Sequence, residues 1–170
     1  MESLFAPWRY SYLTREPEGG ECIFCRARAH PDDHDSLLVY QGAHNFVILN
    51  RYPYNNGHLM IVPNDHVSSP SESNAAQRAE LIELATTCES ALKAIYRPDG
   101  INLGMNLGRA AGAGIEKHYH LHMVPRWDGD TNFMAVTAGT RIIPEDLGQT
   151  RTRLQTELER RCGRGGEHGA

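Results

Sequence analysis

Apolar positions show no clear period over residues 1–36, and from Leu37 onward they gather into short runs. Leu37-Leu38-Val39-Tyr40, Phe46-Val47-Ile48-Leu49 and His58-Leu59-Met60-Ile61-Val62 are each strand-sized. Turn residues bound them, namely Gly42, the 53–57 stretch and Pro63-Asn64-Asp65. This pattern predicts an antiparallel meander. The period then lengthens: Leu81, Leu84, Ala85, Cys88, Leu92 and Ile95 recur at helical spacing, with Glu80, Glu83, Glu89 and Lys93 on the opposite side. Arg97-Pro98-Asp99-Gly100 ends that helix with a turn. Two further strands are expected over 101–107 and 118–124, joined by a Gly/Ala-rich loop, then a short strand over 133–136. Pro144-Glu145-Asp146 opens a last helix reaching about Arg161, since proline and acids suit a first turn. Strands grouped around two main helices give an α+β domain with an antiparallel sheet of about five strands.

The chain divides on this reading into an arm over 1–36, a domain over 37–162 and a disordered tail over 163–170. No apolar run reaches the length of a membrane span, and the N-terminus lacks the charged and apolar regions of a secretion signal. A cytoplasmic protein is expected. The net charge of -4 argues against polymeric nucleic acid as a partner, so an anionic ligand must be held by local groups. Cys22 and Cys25 form a Cys-x-x-Cys pair, read as a metal clip or redox motif before a structural disulfide.

His118-Tyr119-His120-Leu121-His122-Met123-Val124 carries the candidate chemistry. In an extended segment the three histidines share one face, about 6.6 Å apart at about 3.3 Å per residue. Tyr119, Leu121 and Met123 then enter the core. Such a ladder suits metal binding, phosphate recognition by imidazolium, or attack of neutral imidazole on phosphorus. The loop before it, Asn106-Leu107-Gly108-Arg109-Ala110-Ala111-Gly112-Ala113-Gly114, is small enough to bring backbone amides close to an anion. A catalytic metal would call for a carboxylate beside the ladder, and the flanks offer only Glu116.

The His-x-His-x-His-Met-Val run, followed by Pro125-Arg126, resembles the signature of the histidine triad (HIT) superfamily. The similarity extends to Asn106-x-Gly108, to Gly57-His58-Leu59-Met60-Ile61-Val62-Pro63, and to Phe46-Val47-Ile48-Leu49-Asn50. Several segments look like the branch of bacterial diadenosine tetraphosphate (Ap4A) phosphorylases. They are Ala6-Pro7-Trp8-Arg9-x-x-Tyr12, Cys22-Ile23-Phe24-Cys25, Tyr52-Pro53-Tyr54-Asn55, Pro125-Arg126-Trp127 and Asn132-Phe133-Met134. Fhit-like hydrolases carry a phosphate-contacting Gln where this chain has Gly114, a departure that favours phosphorolysis over simple hydrolysis.

The resemblance implies that His120 attacks the α-phosphorus of a dinucleoside polyphosphate and forms a nucleotidyl-histidine, which phosphate or water resolves. It implies that His122 and the Ala113-Gly114 backbone hold the phosphate oxygens, that His118 orients the nucleophile or serves a metal, that Asn50 contacts ribose, and that Asn106, Gly108 and Trp127 line the site. Phosphorolysis of Ap4A to ADP and ATP is the leading reading. A hydrolase, a nucleoside phosphoramidase and a nucleotide-binding sensor are the alternatives. Similarity to Hint-type proteins also implies structural zinc on Cys22, Cys25, His66 and His118, with His44 a rival third ligand and a metal-free thiol pair the alternative. By the same resemblance the sheet extends across a homodimer, with a tetramer also open.

Overall fold

A computed structural model describes residues 21–33, 36–130 and 145–163. The N-terminal motif up to Tyr12, the expected strand over 133–136, Asn132-Phe133-Met134, Pro144 and the tail from residue 164 lie outside them. The elements in chain order are α1 (Ile23–Ala29), β1 (Leu38–Gln41), β2 (Asn45–Leu49), β3 (Leu59–Pro63), α2 (Ala75–Tyr96), β4 (Gly100–Gly104), β5 (Leu121–Arg126) and α3 (Leu147–Cys162). The five strands form one antiparallel sheet in the order β1-β2-β3-β5-β4, as the α+β reading expects.

β2 and β3 are buried along their whole length because both faces of the sheet are covered. Val47, Leu49, Leu59 and Ile61 face α2 and α3, where they meet Leu81, Leu84, Cys88, Leu92, Leu154 and Leu158. Phe46, Ile48, Met60 and Val62 face the other way and pack with Leu38 and Phe24 of α1. A continuous apolar run, rather than alternation, is what a strand covered on both sides requires.

Helix α2 starts earlier than its apolar period suggests, because Asn74 caps it. The Asn74 side chain accepts from the Gln77 backbone at 2.9 Å, and the Gln77 side chain accepts from the Asn74 N–H at 2.8 Å. It ends at Arg97, whose backbone is left-handed (φ 47°), just before Pro98. Helix α3 is capped by Asp146, which accepts from the Gly148 N–H at 2.8 Å.

Three expectations change. Residues 21–29 were expected in an extended arm, yet Ile23–Ala29 is helical, with Phe24 fully buried against the sheet. The expected strand over 118–124 begins only at Leu121. Pairing with β3 stops at Ile61–Leu121, and the Tyr119 N–H bonds the Val67 carbonyl at 2.9 Å instead. β4 likewise stops at Gly104, opposite His122, rather than reaching residue 107.

Candidate active site

The alternation expected of the histidine segment survives the loss of regular strand. Tyr119, Leu121 and Met123 join the core under the helices, and the Tyr119 hydroxyl meets the Ser73 hydroxyl at 2.9 Å. His118, His120 and His122 face the opposite side, with the His120 and His122 rings 4.8 Å apart.

Each ring is held by a partner that fixes its tautomer. A carbonyl can only accept, so His120 Nδ1 carries the proton that it gives to the His118 carbonyl at 3.0 Å. The lone pair of neutral His120 is therefore on Nε2. By the same logic His118 donates from Nε2 to the Pro63 carbonyl at 2.9 Å, leaving its Nδ1 lone pair toward Cys22 Sγ (3.4 Å) and Cys25 Sγ (3.7 Å).

His58 is a fourth histidine of the site, to which the sequence reading assigned no role. It is buried and stacks on the Tyr54 ring at 4.9 Å. Its Nδ1 accepts from the Tyr54 N–H at 3.1 Å, so its Nε2 carries the proton and donates to His122 Nδ1 at 3.0 Å. His122 is thereby set with its own proton on Nε2, ready to donate. The turn behind His58 needs Gly57 (φ 72°): a side chain there would meet Leu92 and Tyr96 at 3.0 Å. A histidine opening an otherwise apolar strand was the available signal.

Burial keeps these rings neutral. With the added repulsion of His122 and His120 it pushes His58 down to about 3. Burial and then His120 push His122 down to about 4. His118 falls to about 4, burial outweighing the favourable Pro63 carbonyl. His120 is also lowered, burial again exceeding the effect of the His118 carbonyl. Each is neutral at pH 7, the form a nucleophile or metal ligand needs.

The loop over 106–114 is tighter than expected, with a 3₁₀ turn at Arg109–Ala111 and positive φ at Gly108 and Gly112. The Ala113 N–H is spent on the Gly108 carbonyl at 3.3 Å, so of the two expected cradle amides only that of Gly114 has no backbone partner among the described residues. Glu116 pairs with Arg109 at 2.7 Å on the surface rather than with a triad imidazole. Asn50 lies just past β2, its N–H on the His58 carbonyl at 3.0 Å and its Oδ1 accepting from the Tyr52 N–H at 2.9 Å.

An open cleft of about 410 Å³ runs from His122 along the β4–β5 edge. Asn106 lines it, together with Tyr54, Asn55, Asn102, Val124 and Arg126. Trp127 is not among its lining residues; it sits in the turn closed by the Asp130 N–H on its carbonyl at 3.0 Å.

Cys22, Cys25, His66 and His118 converge at the other end of the histidine segment, all ligand atoms within 4.8 Å of one another. His66 Nδ1 is 3.3 Å from Cys25 Sγ. Zinc bonds of about 2.3 Å to sulfur and 2.0–2.1 Å to nitrogen put neighbouring tetrahedral ligands about 3.6 Å apart. The sulfur–nitrogen separations, 3.3 to 3.7 Å, fit that edge. His44, the rival ligand, is outside this group and belongs to the β1–β2 turn held by Glu80.

The HIT domain family model matches residues 32–129. The chain is 36% identical over 167 residues to the AP-4-A phosphorylase of Mycobacterium tuberculosis H37Rv, covering 94% of this chain and 86% of that protein. It is 30% identical over 128 residues to Protein hit of Bacillus subtilis, covering 74% and 86%. Among solved structures, a Zn-bound histidine triad family protein from Mycobacterium smegmatis superposes with a TM-score of 0.67 at 25% identity, covering 85% of this chain and 97% of that one. A hypothetical histidine triad nucleotide-binding protein from Sulfolobus tokodaii, 24% identical, shares the fold with a TM-score of 0.70 over 88% and 99% of the two chains. With its histidine segment, its sheet and these relatives in agreement, the chain belongs to the histidine triad (HIT) family.

Proposed function

We propose that this chain phosphorolyses dinucleoside polyphosphates, converting Ap4A and inorganic phosphate to ADP and ATP through a nucleotidyl-histidine. The observation that carries the reading is the bond from His120 Nδ1 to the His118 carbonyl, which leaves a neutral Nε2 lone pair for attack. His120 Nε2 bonds the α-phosphorus as the bond from that phosphorus to its bridging oxygen breaks, releasing ATP. Phosphate then attacks the nucleotidyl-histidine, freeing His120 and giving ADP. His122, set by His58 to donate from Nε2, holds the phosphate oxygens with the Gly114 amide as charge develops. Asn50 contacts ribose, while Asn106 and Gly108 shape the phosphate side. The phosphorylase relative supports the choice of reaction, as does Gly114 in place of the hydrolases' Gln.

Structural zinc on Cys22, Cys25, His66 and His118 belongs to the same proposal, supported by the donor set and by the Zn-bound relative. With four protein ligands it would supply anchoring and no reaction step. Pairing of two copies along the exposed β4 edge would complete a homodimer.

The decisive assay incubates the protein with Ap4A with and without phosphate. ADP plus ATP formed only with phosphate is the expected result; AMP plus ATP without phosphate would make the chain a hydrolase. His120→Ala abolishes turnover while retaining nucleotide binding, and full activity in that variant sinks the mechanism. Metal analysis of untagged protein should give one zinc per chain, and a stoichiometry near zero removes the metal assignment.

A further inference from the structure

The cleft starts at His122, beside the nucleophile His120, and runs away from it along β5. His122, Val124 and Arg126 lie two residues apart on β5, and Gly104 and Asn102 face His122 and Val124 across the ladder from β4. Residues two apart share a strand face, so these groups floor one trough. Tyr54 and Asn55 wall it from the β2–β3 connection. From His122 to Arg126 the strand spans about 13 Å at about 3.3 Å per residue. Its volume of about 410 Å³ is in the range that holds a small organic ligand.

Hydrogen-bond donors are fixed at the far end. Arg126 gives Nε and Nη2 to Asp130 at 2.5 and 2.9 Å, and Nη1 to Asn102 Oδ1 at 2.9 Å. A guanidinium has five N–H groups, so two remain after these three bonds. With Asn102 Oδ1 committed to Arg126, its Nδ2 is the group left to donate, and it has no partner among the described residues. Asp130 also accepts from Asn55 Nδ2 at 2.8 Å, which locks the cluster in place. The result is a trough of mixed polarity, with Val124 at its middle and preset donors at its far end, starting at the candidate phosphate-binding histidine.

We propose that this trough receives the departing half of the dinucleotide, with Asn102 and Arg126 contacting its outer phosphates and Tyr54 and Val124 flanking the chain. The inference rests on the nucleotidyl-transfer reading above. In that step the bridging oxygen leaves with the nucleoside triphosphate as the His120–phosphorus bond forms. Because this half departs before phosphate enters, the trough acts on the first half-reaction alone. Asn102 and Arg126 are specificity residues, selecting donors whose leaving group is long enough to reach them.

The test compares two donors, Ap4A and adenosine 5′-phosphoramidate, whose leaving group is only ammonia. In Asn102→Ala, kcat/KM for Ap4A is expected to fall about tenfold, the size of one lost charge-assisted contact. Asn102→Trp, which fills the trough, lowers it further. Turnover of the phosphoramidate is unchanged in both variants, which also shows that they fold. Equal losses on both donors, or no loss on Ap4A, overturn the subsite. If the wild-type chain turns over neither donor, the nucleotidyl-transfer reading fails and takes the subsite with it.

Discussion

His58 makes one side-chain bond to the triad, yet that bond sets the proton positions of two rings. The Tyr54 N–H holds the lone pair of Nδ1, which places the His58 proton on Nε2 and in turn places that of His122 on its outer nitrogen. His58→Ala removes the relay, and kcat for Ap4A should drop about tenfold, from a net hydrogen-bond value of about 1–1.5 kcal/mol. His58→Gln is the control, because an amide offers one acceptor and one donor; it should restore most of the rate. Steady-state kinetics on the two variants decides the matter, and equal loss in both would mean that His58 serves by shape alone. The asymmetry between His120 and His58 also explains what could be read in advance. His120 lies in a run whose alternation is visible in the chain itself. The partner of His58 is 64 residues away, and its importance depends on a register, Met60 opposite His122, that local pattern does not contain.

The elements that carry these residues are held by polar contacts as well as by apolar packing. Glu80 of α2 accepts from the Ala43 and His44 N–H groups, both at 2.7 Å, and from Asn45 Nδ2 at 2.9 Å, so one carboxylate closes the β1–β2 turn onto the helix. The helical pattern places Glu80 on the polar side and says nothing of this task. Glu80→Ala should lower the unfolding free energy by about 2 kcal/mol, the order expected when donors lose a charged acceptor, as read from urea titration. A change below about 0.5 kcal/mol, the level of an ordinary surface substitution, would contradict it. The existence of the strands and of α2 and α3 was legible because strand-sized apolar runs between turn residues and the 3.6 period are local; strand ends were not. β5 starts late because its neighbour gives way to Pro63 and the chain is taken over by Val67. Helix α1 escaped the sequence reading because seven residues show little period, and Phe24, buried against the sheet, gives it a tertiary anchor. At its start Cys22 and Cys25 meet His66 and His118 from two distant segments. Removing bound metal with a chelator should therefore lower Tm by roughly 5–10 °C, reflecting a few kcal/mol of lost cross-linking. An unchanged Tm after verified metal removal would exclude a structural role.

Over the whole molecule the two faces of the sheet have different duties. Helices α2 and α3 cover one, while the other gathers α1, the small Phe24 cluster and the histidines. Placing four neutral imidazoles under this cover makes stability depend on pH. No helix of the described residues is long and apolar enough to cross a membrane. The consequence is sharpest for His58 and His122, held at about 3 and about 4 against an ordinary 6.5. The groups facing them are Tyr54, His120 and each other, and no carboxylate bonds either ring among the described residues. A histidine depressed in the folded state leaves the unfolded chain binding more protons below pH 6.5. Its stabilising contribution is complete above that pH and declines as pH falls toward the folded value. Each such ring adds about 1.4 kcal/mol per pH unit to the slope in that window. Carboxylate ion pairs such as Arg126–Asp130 are lost at lower pH, because Asp130 is held well below its ordinary value by Arg126. Urea unfolding of wild type and His58→Gln between pH 7 and 4 isolates the effect, since any acid loss of metal is common to both and cancels in the difference. The variant should lose stability more gently by about 1.4 kcal/mol per pH unit below pH 6.5. Parallel curves would mean that His58 is already protonated or already solvated in the folded protein, and the relay from Tyr54 through His58 to His122 would fall with it.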